Sequence, residues 1–367
     1  MTKKFVSIVT LALLLQVSAV AQMQVTDRWI GGDISLLPSY EKVNAVYRDS
    51  SGKQVAPLVL MKEQGWNAAR LRLFVEPQFA PKQHQDEGVC QDLDYIVSLS
   101  KQIKKAGMAL MLDFHYSDTW ADPGKQFMPK RWTEVDPALL PDSLYEYTRQ
   151  TLQRMVAEDC MPEMIQIGNE ITNGMMWPVG HVDPLKQDNF DVLARLLNAG
   201  ARACREVCPR AQLIVHTEKA GDWDKTKNYY QQMQRYQVDY DIIGLSYYPM
   251  WHERIPVLRQ TLDSLAVLYP EKEVMIVETA AYYSHEKDIW VKPDQYAEFY
   301  PITPEGQWQF TKELMAELRR HRNVTGVFWW FPEENEGVTP VTNYWINRGL
   351  FDNHTGKALP AFYEFKW

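Results

Sequence analysis

The chain has 367 residues, of which 46% are hydrophobic and 23% charged, with a formal net charge of −8. That length can bury one large core or two ordinary ones. An acidic chain without a basic run gains nothing from counterion release, which excludes nucleic acid as a partner; a polyanionic ligand suits the balance no better, and a neutral one is the easy fit.

Lys3 and Lys4 open the chain, an apolar run covers residues 5–15, and Ala19-Val20-Ala21 offers a small-residue cleavage site. Residues 1–21 are therefore expected to be a secretory signal peptide. Its removal would leave residues 22–367, with a charge of −10, as an exported protein in the periplasm or outside the cell. The apolar run is too short to span a bilayer and no second one follows, so no membrane span is expected.

Short apolar runs at 29–34, 68–75, 108–114, 164–168, 212–216, 241–246, 273–278 and 324–331 read as strands. None shows clean two-residue alternation, as befits parallel strands covered on both faces. Helical spacing fills the intervals at 93–106, 144–157, 190–207, 258–269 and 308–321, with Gly107 as a C-terminal cap of the first. Eight strands interleaved with helices, without a linker, predict an α/β fold, a single (β/α)8 TIM barrel. An open doubly wound sheet would carry a glycine-rich turn after its first strand, and Gly31-Gly32-Asp33-Ile34 is not one.

Cys90, Cys160, Cys204 and Cys208 are too few for a disulfide scaffold. Cys204 and Cys208 lie one helical turn apart and form the pair available for a bridge; free thiols are the default. With no CxxC, HExxH or DxDxDG string, neither a metal nor a cofactor is expected.

In such a barrel the chemistry belongs at the C-terminal strand ends. Polar and aromatic residues gather there: 113–123 after the third strand, 168–174 after the fourth, 246–252 after the sixth and 329–332 after the eighth. Glu170 and Glu278 each close an apolar strand, where a carboxylate costs free energy unless compensated. An interior ion pair with Arg70 or Arg72 explains either one alone. Both together, with Asn169 preceding the first, point instead to two carboxyl groups flanking a glycosidic bond. Glu170 is then expected to be the protonated acid, raised by burial and by its neighbour, and Asn169 to hold a sugar 2-hydroxyl.

The Gly-Asn-Glu ending of the fourth strand and the Glu ending of the seventh resemble those of the retaining barrel glycosidases. The strings at 115–126, 166–174, 244–252 and 350–352 resemble, more specifically, glycoside hydrolase family 53, the endo-β-1,4-galactanases, and the likeness runs over residues 32–360. A monomer is expected, and the resemblance implies an enzyme acting on a neutral polysaccharide, with Glu170 as acid/base and Glu278 as nucleophile. It implies Trp330 as the floor of the sugar at the cleaved bond, and Asn169 as the 2-hydroxyl ligand. Arg72, His115 and Tyr247 are expected to orient nucleophile or sugar, with Arg70 as the alternative arginine. Asp118 is counted with the substrate-binding residues. Trp120, Trp251 and Trp345 are stacking candidates for more distant sugars, loop packing being the alternative. Two stretches depart from the family pattern: residues 216–221 after the fifth strand, and Phe331, where the family often has Glu. Some bacterial members hold calcium in late loops; no convincing ligand set for it stands here. Another retaining glycosidase, or a non-catalytic glycan-binding barrel, remains the competing reading.

Overall fold

The structure is a computed structural model that describes residues 28–183, 186, 188–286, 299–337, 339–342 and 344–367. The expected signal peptide lies outside the described residues.

Ten strands occur among them: β1 (Trp29–Asp33), β2 (Ala68–Leu73), β3 (Ala109–Phe114), β4 (Met164–Ile167), β5 (Gly174–Met175), β6 (Gly180–His181), β7 (Gln212–Thr217), β8 (Ile242–Ser246), β9 (Glu273–Thr279) and β10 (Val324–Trp330). Eight of them close a parallel barrel in the order β1-β10-β9-β8-β7-β4-β3-β2, while β5 and β6 form a small hairpin in the loop after β4. The expected TIM barrel is thus the observed fold, with each of its eight strands at or within a few residues of the predicted run.

Register explains why those runs look continuously apolar. The side chains of Ala68, Met111, Met164, Ile214, Ile242, Met275, Val277 and Phe328 form an inner core cluster, while alternate strand residues such as Leu71, Leu112, Ile165 and Ile243 pack into the outer core. Inward positions recur every second residue. Above Ala68 comes Arg70, above Met111 Asp113, above Met164 Gln166 and above Ile214 His216, so a polar layer sits directly on the apolar plug. Arg70, Asp113, Gln166 and His216 are all buried.

The predicted helices are present, but three begin earlier than their spacing suggests, at Leu140–Ala157, Ile255–Leu268 and Pro304–Leu318. Each carries Pro in its first turn, where the missing N–H is one of the unpaired donors anyway; proline there starts a helix rather than stopping it. Trp223–Arg235 is a helix that the polar spacing conceals, capped by the Asp222 side chain accepting from Lys225 N–H. The four cysteines are free thiols, so the alternative Cys204–Cys208 bridge is absent.

Candidate active site

Strand β4 ends in a tight turn. Gly168 takes φ +86°, and Glu170 follows at φ 47°, in the left-handed region that non-glycine residues rarely occupy. This backbone directs Glu170 over the barrel mouth rather than along the strand. On β9 a register shift places Glu278 beside Ser246 of β8. Both glutamates line one cavity of about 450 Å³ with His115, Trp120, Tyr248 and Trp330.

The environments of the two carboxyl groups differ. Glu278 Oε1 forms an ion pair with Arg70 Nη2 at 2.7 Å, and its Oε2 accepts from the Tyr248 hydroxyl at 3.0 Å. Burial raises the pKa of Glu278 and the Arg70 guanidinium opposes that rise. Among the described residues no cation pairs with Glu170 in this way. Burial first, then the charges of Glu278 and Glu218, hold its carboxyl well above the ordinary range, with only the Ser246 hydrogen bond opposing. Both carboxyls are thus raised, Glu170 the more strongly, so Glu170 is the one whose surroundings favour the neutral form.

A buried polar layer holds both in place. Arg70 also binds Asp33 and Asp113, each at 2.8 Å, and donates to Asn169 Oδ1 at 2.8 Å. Asp33 is shared with Arg72 at 2.8 Å. His216 is kept neutral by burial and by Arg70. Its Nδ1 accepts from Gln166 Nε2 at 3.0 Å and Glu170 N at 3.3 Å, so Nε2 carries the proton and donates to Ser246 Oγ at 2.8 Å. Ser246 in turn donates to Glu170 Oε1 at 2.6 Å. His115 accepts from Ala121 N at Nδ1 and turns Nε2 toward Asp113 Oδ2 at 3.1 Å.

Of the residues singled out from sequence, Arg72, His115, Trp120, Asn169, Trp251, Trp330 and Trp345 line the cavity with the two glutamates. Tyr247 and Asp118 do not. Tyr247 points outward, stacks on Phe310 with centroids 6.2 Å apart, and donates to Glu253 O at 2.9 Å. The contact expected of it belongs to Tyr248, because inward positions on β8 are even-numbered, through Ile242, Gly244 and Ser246. That parity was available in the sequence. Asp118 braces the loop by accepting from Glu76 N and Lys130 N at 2.9 and 2.7 Å. The arginine paired with Glu278 is Arg70, the alternative of the two. Arg72 sits one layer higher, over Trp120 and Phe331 at 4.7 and 4.5 Å from the ring centroids.

Asn169 is held on both sides, Oδ1 by Arg70 and Nδ2 by Ala121 O at 2.8 Å. Phe331 stacks 3.8 Å behind Trp330 and is buried, so it backs the aromatic floor rather than lining the cavity. Residues that sequence reasoning left without a role, namely Asp33, Asp113, Ser246, Tyr248, Glu218, His252 and Arg348, come from separate strand ends and loops. No group of His, Cys, Asp and Glu side chains suited to a metal ion occurs among the described residues.

Comparison with known proteins agrees with this fold. Residues 29–365 match the profile of the family described as Glycosyl hydrolase family 53. An arabinogalactan endo-β-1,4-galactanase of Cellvibrio japonicus is 32% identical over 99% of this chain and 97% of its own. The GH53 catalytic domain of Ignisphaera aggregans superposes with a TM-score of 0.84 at 29% identity, covering 95% of this chain and 97% of its own. A structure of fungal β-1,4-galactanases gives a TM-score of 0.78 at 27% identity, over 93% of this chain and 99% of that one.

Proposed function

Because the chain belongs to glycosyl hydrolase family 53 and is therefore a glycoside hydrolase, we propose that it cuts β-1,4-linked galactan internally, with retention of configuration. The named relatives support the substrate. The observation that carries the mechanism is the asymmetry of the two carboxyl groups in one cavity: Arg70 grips Glu278, while the surroundings of Glu170 favour its neutral form.

Glu278 attacks the anomeric carbon as Glu170 gives its proton to the departing oxygen. The bond formed is an ester between sugar and Glu278. Glu170, now ionised, takes a proton from water, and the resulting attack releases the sugar and restores both groups. Arg70 and Tyr248 hold the nucleophile's two oxygens, and Ser246 orients the acid. Trp330, backed by Phe331, offers an apolar face to the ring.

Residues 1–21 support export, as a charged start, an apolar run and a small-residue site do in secreted proteins. Sizing the products of β-1,4-galactan digestion over time, beside mannan, xylan and cellulose, tests the substrate. Rapid conversion of galactan to short oligosaccharides is expected; hydrolysis of mannan with galactan untouched would reject it. Proton NMR of the first products should show β-anomers. Glu278→Ala should lower turnover by roughly 10⁴-fold or more while the melting temperature stays near that of the wild type.

A further inference from the structure

We infer that Glu218 and Lys219 form a subsite for the sugar that leaves, and that Glu218 is a specificity-determining residue for sugar-bearing leaving groups. This rests on the glycosidase reading above.

The chain leaves β7 by the same two-residue alternation that places Ile214 and His216 inside the barrel, and Glu218 is the next inward position. Glu218 lines the cavity beside Glu170 and is only 5% exposed. Thr172, two residues beyond Glu170, donates to its Oε2 at 2.7 Å. The acid's own loop therefore anchors this third carboxylate. Oε1 forms an ion pair with Lys219 Nζ. An ionised carboxylate offers about four lone-pair sites, so it retains acceptor capacity beside these two partners. A carbohydrate hydroxyl, which donates and accepts at once, suits the paired carboxylate and ammonium.

Position relative to the two catalytic groups gives the direction. Glu218 is tied through Thr172 to the loop that carries Glu170 and its charge raises Glu170, whereas Glu278 is held by Arg70 and Tyr248. Glu218 thus stands on the acid's side of the cleft, where the oxygen that takes Glu170's proton carries its sugar away. The loop is rigid enough to serve. Thr226 donates to Lys219 O at 2.7 Å and Thr261 to Ala220 O at 2.9 Å. A Cβ at Gly221 would stand 2.4 Å from His252 O, so the loop packs directly against the strand end that carries Tyr248.

The test compares Glu218→Ala and Glu218→Gln with wild type on two substrates, a β-1,4-galacto-oligosaccharide and an activated aryl β-galactobioside. The aryl leaving group has no hydroxyls to bind. Rates are taken on the acidic plateau of each variant's pH profile, so that altered titration of Glu170 does not enter. A hydrogen bond to a charged group predicts that Glu218→Ala loses about tenfold to a hundredfold in kcat/KM on the oligosaccharide. The aryl glycoside should change far less, and Glu218→Gln should recover part of the loss. Equal losses on both substrates, or no loss on the oligosaccharide, would overturn the assignment. Thermal melts of both variants identify misfolding, and the isosteric Gln variant then carries the comparison. If wild type proves inactive on galactan, the galactan substrate fails, and the same ratio is read on the β-1,4-glycan that it does cut.

Discussion

Arg70 and Glu278 meet at 2.7 Å across the barrel interior with both side chains almost fully buried. The same guanidinium holds Asp33 and Asp113, so one cation from β2 ties β1, β3 and β9 together beneath the cleft. A charge buried this deeply persists only when it is paired and hydrogen-bonded, and here the pairing also fixes the Glu278 side chain.

Replacing Arg70 should therefore damage fold and chemistry together. Arg70→Met strips Glu278 and Asp113 of their guanidinium and leaves Asp33 to Arg72 alone, and should cost about 3–5 kcal/mol of stability, read by urea denaturation. Arg70→Lys keeps the charge but not the planar fork, so it should recover stability better than kcat. Unchanged stability in the Met variant would mean that the acidic groups are already protonated.

Glu170→Gln should cut kcat/KM on galactan by about 10²–10⁴-fold and lower that of activated aryl glycosides far less, because their first step needs no proton. Their kcat still falls with the loss of the base that activates water. Because the surroundings of Glu170 raise its pKa, the working protonated form persists toward neutral pH, and wild-type activity falls as pH rises through that pKa. The alkaline limb of the galactan pH profile should vanish in the Gln variant. Equal losses on both substrate types would deny Glu170 the acid role.

The two adjacent tyrosines should behave oppositely. Tyr248→Phe removes a hydrogen bond to the nucleophile and should lower kcat/KM by about tenfold to a hundredfold, the worth of a bond to a charged group. Tyr247→Phe removes one to a backbone carbonyl on the outer side. It should leave kinetics near wild type and cost about 1 kcal/mol in stability. A reversed pattern would contradict the inward parity of β8.

Glu333 gives a pH signature of stability. Burial, then the charge of Asp33, pushes its carboxyl up to about 8, against about 4.3 in an unfolded chain. Between those values the folded protein keeps a proton that the unfolded chain releases. This group's contribution is complete below about pH 4.3 and declines, by up to about 1.4 kcal/mol per pH unit, until pH passes the folded value. Glu333→Gln retains an acceptor for Leu36 N–H and has no proton to lose. Its stability relative to wild type should therefore climb from pH 5 to pH 8 in thermal melts; parallel curves would show Glu333 already ionised.

The barrel, its strand ends and the two glutamates were legible in the sequence. A run of buried parallel strands leaves a local hydrophobic record, and a carboxylate at the end of such a run contradicts that record unless it has work to do. Helix starts were read late because a first-turn proline looks like a breaker when only spacing is available. What tertiary structure decided was partnership. Arg70 rather than Arg72 depends on height in the barrel, because the two share one parity. Asp118 turned out to brace a loop, and Glu218 came to stand beside Glu170 because β4 and β7 are neighbours in the closed sheet. Local sequence specifies which residues form a strand; which strands adjoin, and at what height their side chains meet, is a property of closure that no single segment contains.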